Sequence, residues 1–123
     1  MRKQYKNVWF LDRFINLHGG LLIMIMVYVT CKDENEAKLI GETLVNRKMA
    51  ACANFFPIKS IFRWKGEIAG DDEFVLLLKT NDSNYPNIKK EVKKLHSYEV
   101  PCILKIKAEA NKEYSKWIDK ELK

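Results

Sequence analysis

The sequence predicts an α+β fold, a ferredoxin-like split βαβ sandwich with the order βαββαβ and a C-terminal helix. Two observations predict it. Apolar runs of strand length alternate with amphipathic segments in this order, and the second strand is too long for the helix before it to cover. Two right-handed crossovers then place the strands in the antiparallel order 4-1-3-2. We also expect a long hairpin between the second and third strands.

The first strand and the first helix are predicted from the segment that begins at residue 24. Residues 24–30 form a continuous run of apolar and branched side chains, which is typical of a strand buried on both faces. Asp33, followed three residues later by Glu36, indicates a helix N-cap and a capping box. Apolar residues then recur at helical spacing, which predicts a helix over residues 35–48.

The next two strands are predicted to form the hairpin. Residues 50–64 are the long second strand, and the Gly and Asp residues of "KGEIAGDD" are expected to end it in a turn. The segment "EFVLLLKT", residues 73–80, is another short buried strand. A turn between two such runs favours antiparallel pairing.

A helix, a strand and a last helix complete the pattern. Ser83 is predicted to cap the second helix, which has Pro86 in its first turn. The segment "VPCILKIKA", residues 100–108, is the fourth strand. Asn111 can cap the last helix. The apolar face of that helix comprises Tyr114, Trp117, Ile118 and Leu122.

The N-terminal segment is expected to lie outside the domain. Residues 1–23 hold four basic residues and one acidic residue, a net charge of 4 − 1 = +3 out of the formal +6 of the chain. The apolar run "LLIMIMVYV" lacks a small-residue cleavage site after it, and its nine residues fall short of the roughly 20 that span a bilayer. We expect residues 24–123 to form one domain and residues 1–23 to be an extension that is non-native or disordered. We expect no membrane partner.

The long strand predicts an assembly. Residues 50–64 extend about 50 Å at about 3.3 Å each, whereas the first helix covers about 21 Å. The overhang carries large apolar side chains, and another subunit would keep them from water. The alternative is that these side chains fold inward over their own sheet. The expected interface residues are Phe55, Phe56, Phe62, Trp64 and, on the last helix, Trp117.

Several motifs in order resemble the CutA divalent-cation tolerance proteins. They are "VYVTC", "RKMAACAN", "SIFRWKGEI", "LLLKT", "LHSYEVPCIL" and "YSKWI", and the match covers residues 24–123. The resemblance implies a ferredoxin-like homotrimer in which long hairpins wrap between neighbours. It also implies a role in the tolerance of copper and other divalent ions, with no established catalytic reaction.

The resemblance also suggests a metal site, with two departures from the family pattern. The usual "HPYEVPEI" reads "HSYEVPCI" here, so Cys102 replaces an acidic residue and Ser97 a proline. A soft sulfur in place of an oxygen favours Cu(I) or Zn. The candidate ligands are His96, Cys52, Glu99 and Cys102. Cys52 could instead be a small buried hydrophobe, and the His96 imidazolium could interact with the C-terminal dipole of its helix.

Two cysteines far apart in sequence are predicted to be neighbours. In the order 4-1-3-2 the first and fourth strands are antiparallel, so the end of the first, at Cys31, meets the start of the fourth, at Cys102. The pair is a candidate disulfide, or a two-thiolate start to a soft-metal site completed by His96. The alternative is that the two side chains lie on opposite faces. The three cysteines show neither CxxC spacing nor a dense disulfide framework, and since the sequence pattern does not indicate a secretion signal, we expect a reducing cytoplasm.

Other functions receive less support from the sequence. A small-ligand sensor like the PII signalling proteins shares the topology and is the alternative to metal binding. An RNA-recognition module would carry stacking aromatics on its third strand, where "EFVLLLKT" offers aliphatics. No P-loop, GxGxxG or Ser/His/Asp pattern is present, so we expect no enzyme and no nucleic-acid partner. The basic helix face formed by Lys89, Lys90, Lys93 and Lys94 is interpreted as solvated surface.

Overall fold

A computed structural model describes residues 24–123 together with the backbone of Ile15–Asn16, Gly20–Leu21 and Ile23. The two short segments pair as antiparallel two-residue strands. The predicted extension lies largely outside the described residues, so its separation from the domain stays a prediction. The domain elements are β1 (Ile23–Cys31), α1 (Glu34–Asn46), β2 (Cys52–Trp64), β3 (Glu67–Thr80), a 3-10 turn (Asp82–Asn84), α2 (Tyr85–Leu95), β4 (Ile103–Glu109) and α3 (Lys112–Glu121).

The four domain strands form one antiparallel sheet in the order β2-β3-β1-β4, which confirms the predicted fold and strand order. Helices α1 and α2 cover one face of the sheet. Helix α3 contacts β1 and β3, and its Tyr114 ring lies under Lys79, whose side chain alternates with the core residue Leu78. Helix α3 therefore lies against the opposite face. The buried core comprises mainly Ile25, Val27, Val29, Ile40, Leu44, Leu76, Leu78, Ile88 and Val92.

Helix α1 begins as predicted, with one change in its cap. The Asp33 carboxylate accepts a hydrogen bond from the Glu36 N–H at 2.9 Å, which confirms the N-cap. The Glu36 carboxylate does not complete a capping box on Asp33, because it accepts from the Lys32 N–H instead. Further along the helix, Gly41 permits close packing on the sheet, since a Cβ there would lie 3.1 Å from the Cβ of Ala53.

The hairpin is longer than predicted, because its turn is only two residues. Lys65 and Gly66 have φ angles of 50° and 83°, the left-handed conformations of a tight hairpin turn. Pairing then runs without interruption from Trp64 opposite Glu67 to Cys52 opposite Lys79. The long strand ends at Trp64 and turns within "KGEIAGDD", as predicted. The prediction of a third strand starting at residue 73 was wrong, since it begins at Glu67, where backbone pairing with β2 outweighs the low strand propensity of Gly and Asp.

The boundaries of the later elements also differ from the prediction. Asn81, and not Ser83, caps the 3-10 turn before α2 by accepting from the Asn84 N–H, while the Ser83 hydroxyl donates to Asn81. Pro86 lies in the first turn of α2 as expected. Asn111 stands at the N-cap of α3 but makes no capping hydrogen bond there.

The outer part of the hairpin is not covered by the described part of the chain. Ile61 is 84% exposed and Ile68 is 66% exposed, although both are aliphatic. The predicted interface side chains are each between 37% and 45% exposed: Phe55, Phe56, Phe62, Trp64 and Trp117. The alternative in which the aromatics fold inward is therefore not what the described chain shows.

Candidate metal site

Three potential metal ligands converge where β1 ends, α1 begins and α2 ends. Cys31 is the last residue of β1, Glu36 lies in the first turn of α1, and His96 follows the last residue of α2. One ligand atom of each lies within 4.8 Å of the other two. Among the described residues, this Cys31 cluster (Cys31, Glu36 and His96) is the one group of at least three His, Cys, Asp or Glu side chains so arranged.

The hydrogen bonds of His96 determine its tautomer. The side chain is fully buried. Its Nδ1 lies 3.0 Å from the Tyr98 N–H, which can only donate, and its Nε2 lies 2.7 Å from the Thr30 carbonyl oxygen, which can only accept. Nε2 therefore carries the proton and Nδ1 has the lone pair. Nδ1 faces the Glu36 carboxylate, with 4.0 Å between Nδ1 and Oε2.

Glu36 is a buried carboxylate held by backbone donors. Oε1 accepts from the Lys32 N–H at 2.9 Å, and Oε2 accepts from the Ser97 N–H at 2.8 Å. Burial acts to raise the pKa of Glu36, but the hydrogen bonds from Lys32 and Ser97 outweigh it, so the pKa is lowered. The carboxylate is charged at neutral pH and joins the start of α1 to the loop after α2.

Cys31 is a fully buried thiol next to negative charge. Burial first, and then the charges of Glu36, Glu73 and Asp33, raise the pKa of the Cys31 thiol to about 12. The thiol is protonated at neutral pH. A metal ion that binds its sulfur must displace that proton.

Tyr98 and Glu73 connect the cluster to the hairpin strand β3. The Tyr98 ring packs against the His96 ring, with 4.7 Å between centroids. Its hydroxyl donates to Oε2 of the buried Glu73 on β3, at 2.5 Å. Burial, followed by the Glu73 hydrogen bond and charge, raises the pKa of Tyr98. The phenol is therefore a hydrogen-bond donor throughout the neutral range.

Of the four ligands predicted from sequence, only His96 belongs to the cluster. Cys52 begins β2, opposite Lys79, and its thiol lies 3.8 Å from the Asn54 side chain. Glu99 is exposed in the loop before β4, and Cys102 lies in the same loop next to the Thr30 side chain. A metal-binding role for Cys52, Glu99 and Cys102 stays a prediction.

The register places Cys31 and Cys102 at neighbouring positions on opposite faces. Val29 pairs with Ile103, so Cys102 falls opposite Thr30, whose side chain hydrogen-bonds it. Cys31 follows Thr30 and faces the core under the helices. Both thiols are free. Burial and the charge of Glu73 raise the pKa of Cys102, while the Thr30 hydrogen bond acts in the opposite direction.

Sequence reasoning did not identify Glu36 as a partner of His96, because Glu36 was interpreted only as a capping residue. It linked Cys31 to His96 only together with Cys102, as the alternative to a disulfide. A signal was present in the topology: in this fold the end of the first strand, the start of the first helix and the end of the second helix meet at one edge of the sheet. The three residues stand at those ends.

The cluster offers one sulfur, one oxygen and one nitrogen donor. Metal-bound histidines usually donate their second ring N–H to a carbonyl or carboxylate, and His96 already makes this contact through Nε2–H to Thr30. The residues thus fit a metal ion that is bound through Nδ1, with thiolate and imidazole favouring copper or zinc.

The fold and the cluster define a class: a ferredoxin-like α+β protein with a buried mixed-donor group at one end of its sheet. A sequence model described as CutA1 divalent ion tolerance protein matches residues 25–121. The chain belongs to this family, as the sequence motifs predicted. No helix among the described residues is long and apolar enough to cross a membrane.

Individual relatives agree with this assignment. The chain is similar to the divalent-cation tolerance protein CutA of Archaeoglobus fulgidus, with 43% identity over 94 residues, 76% of this chain and 92% of the relative. The Thermus thermophilus protein of the same name is 42% identical over 95 residues, with the same shares covered. A solved structure, described as the periplasmic CutA of A. fulgidus, superposes with a TM-score of 0.79 at 40% identity, covering 81% of this chain and 99% of that one.

Proposed function

We propose that this chain is a homotrimeric protein that binds copper or another divalent metal ion and acts in divalent-cation tolerance, as a binding protein and not as an enzyme. The observation that carries the proposal is the Cys31 cluster, three different donor atoms within 4.8 Å of one another. Membership of the family supports the biological role.

The ligands in this proposal are Nδ1 of His96, the Glu36 carboxylate and the Cys31 sulfur. When it is bound, the metal ion supplies the positive charge that makes the Cys31 thiolate stable in a buried place. Loss of the thiol proton to solvent makes affinity rise with pH. Glu36, which is ionised already, offsets part of the charge of the ion.

Native mass spectrometry tests the site and the assembly together. The chain is incubated with Zn²⁺ or Cu²⁺, and the bound ions per subunit are counted. We expect one ion per subunit, and at least tenfold weaker binding in the separate variants Cys31→Ala and His96→Ala. Equal binding by both variants and by wild type would overturn the site.

Three further variants distinguish the Cys31 cluster from the ligand set predicted by sequence. Cys52→Ala, Glu99→Gln and Cys102→Ala remove the other candidate donors one at a time. If Cys31→Ala and His96→Ala lose binding while these three retain it, the cluster holds the ion. Loss of binding in Cys52→Ala or Cys102→Ala, with binding retained in Cys31→Ala, would instead support the sequence-predicted set, to which His96 also belongs.

The proposed trimer is supported by the exposed aromatics of the hairpin. A two-stranded ribbon that carries Phe62 and Trp64 partly in water is an aggregation hazard unless another chain covers it. The proposed location is the cytoplasm, supported by the free thiols of Cys31 and Cys102. Since a relative is described as periplasmic, cell fractionation of the native protein is the test of location.

The PII-like alternative is tested by nucleotide titration. A groove next to the cluster is lined by Lys32, Asp33, Pro57, Ile58, Lys59, Asp72, Glu73 and Phe74. Three carboxylates against two lysines do not favour a polyphosphate ligand. Saturable nucleotide binding without metal binding would replace the proposed function by the sensor.

A further inference from the structure

The loop after α2 is held by a hydrogen bond to Nδ1 of His96, the same atom that would bind a metal ion. Resting on the proposed function, we propose that metal binding at the Cys31 cluster opens the Tyr98 clasp. This clasp comprises two hydrogen bonds, from the Tyr98 N–H to Nδ1 of His96 and from the Tyr98 hydroxyl to Glu73. Metal occupancy is thereby transmitted to β3 at the base of the long hairpin.

The competition follows from the number of lone pairs on each ligand atom. Nδ1 of a neutral imidazole has one lone pair, and the Tyr98 N–H uses it at 3.0 Å. A metal ion cannot share that lone pair, so the Tyr98 N–H must turn away. Nε2 is not an alternative, because its proton is donated to Thr30. Each carboxylate oxygen has two lone pairs, so Glu36 can bind the ion and still accept the Ser97 N–H.

The second half of the clasp links this event to the hairpin. Tyr98 is bound at its backbone by His96 and at its hydroxyl by Glu73. Rotation of the backbone at residue 98 carries the ring away from His96, against which it packs at 4.7 Å. The hydroxyl then leaves the Glu73 carboxylate, for which Tyr98 is the one hydrogen-bond partner that the described residues show.

Glu73 lies where the loss of the Tyr98 hydrogen bond can affect the base of the hairpin. It is 8% exposed, it pairs with Ile58 across the hairpin, and it lines the groove shared with Lys32 and Lys59. A buried carboxylate that loses its donor must find another cation or donor, or become hydrated. The groove supplies both lysines, so the expected consequence is a rearrangement at the hairpin base.

Amide hydrogen exchange with Zn²⁺ tests the clasp directly. Full-length protein is labelled with ¹⁵N, and exchange is measured with and without saturating Zn²⁺, while native mass spectrometry counts bound zinc. We expect the Tyr98 amide to exchange at least tenfold faster with zinc. The Ser97 amide, in the same loop, and the His96 amide, bonded to the Val92 carbonyl, are the matched controls and keep their protection.

The outcomes separate the two proposals. Zinc bound without faster exchange at Tyr98 overturns the clasp and leaves the proposed metal site standing. Equal acceleration at Ser97 and Tyr98 means that the whole loop loosens, and it also overturns the clasp. If neither zinc nor copper is bound, both proposals are overturned; if copper alone is bound, the exchange experiment is carried out with copper counted in place of zinc and the same outcomes decide the clasp.

Two variants give an independent check through affinity. Tyr98→Phe keeps the ring and removes the hydroxyl that holds the clasp shut, so zinc should bind about tenfold tighter, the effect of one hydrogen bond to a charged group. Glu73→Gln keeps an acceptor for the hydroxyl and removes the charge, so a smaller gain, about threefold, is expected. Unchanged or weaker zinc binding in folded Tyr98→Phe would overturn the clasp. If Tyr98→Phe does not fold, unchanged zinc binding in Glu73→Gln would overturn the clasp.

Discussion

The two halves of β3 bury their aliphatic side chains to different degrees. In the inner half, residues 74–80, the strand pairs with both β2 and β1. Val75, Leu76 and Leu78 are fully buried there. In the outer half, residues 67–73, the strand pairs with β2 alone, and Ile68 is 66% exposed. For these aliphatic side chains, burial follows whether a third strand and a helix reach the position.

This difference teaches where the stability of the chain resides. A lone two-stranded ribbon is marginally stable in water, whereas apolar burial contributes about 25 cal/mol per Å². The inner half is stabilised by its own chain. In our proposal, two further copies bury the exposed side chains of the outer half. Changes in the outer half, or in the residues of β2 paired with it, should therefore affect assembly. Changes in the inner half should affect folding.

The largest effect is expected from Phe62→Ser with Trp64→Ser. Their remaining exposed surface, 39% and 45%, represents about 2 kcal/mol per subunit and about 6 kcal/mol for three. The trimer formation constant should fall by about four orders of magnitude. Sedimentation equilibrium measures it. Lys59→Ser, in an exposed ion pair with Asp72 on the same hairpin, is the matched control and should leave assembly intact. A double variant with unchanged sedimentation would remove the basis for the interface.

The second effect is expected from Leu78→Ala in the inner half. Truncating a fully buried leucine should lower the free energy of unfolding by about 2–5 kcal/mol. The matched change, Ile61→Ala on the part of β2 that pairs with the outer half, lies at 84% exposure and should cost less than about 0.5 kcal/mol. Urea unfolding in the monomeric Phe62→Ser, Trp64→Ser background measures both. Similar costs at the two positions would break the distinction between the halves.

The third effect concerns Glu36, in the first turn of α1. Glu36→Gln leaves one of two backbone donors without an acceptor and should cost about 1–3 kcal/mol at pH 7. Because the pKa of Glu36 is lowered in the folded state, its contribution is present above the ordinary value of 4.5 and is lost as pH falls through the lowered value. The gap between wild type and Glu36→Gln in urea unfolding should therefore narrow below pH 4.5. A gap that widens in acid would contradict the charged, hydrogen-bonded carboxylate.

The smallest effect is expected at the tip of the hairpin. Gly66→Ala meets no atom within 4 Å, so its cost arises from φ alone, at +83°, and should be about 1 kcal/mol. Lys65→Gly, at φ 50°, should cost nothing or stabilise slightly. Thermal unfolding of both variants measures the difference. Equal midpoints would mean that the turn is not formed as described.

Local patterns were enough to predict the order of elements, the N-cap at Asp33 and the sheet order, because each depends on neighbours in sequence or on general rules of connection. The strand boundaries of the hairpin were harder to predict from the sequence. The Gly and Asp residues near the end of "KGEIAGDD" disfavour a strand by themselves, yet Gly70 and Asp71 pair with Ile61 and Ser60. Cross-strand hydrogen bonds, which a local pattern does not contain, decide that case.

The sequence by itself determined the fold class, the family and the excess length of the second strand. These properties are written in hydrophobic periodicity and in motif order, and both act over a few residues. Only the tertiary structure decided the candidate site. Cys31, Glu36 and His96 are up to 65 residues apart along the chain, and they meet because three element ends converge. It likewise decided which nitrogen of His96 holds a lone pair, because that depends on backbone groups at Thr30 and Tyr98. Such contacts depend on strand register and on the path of the loops, and sequence periodicity contains no information about either.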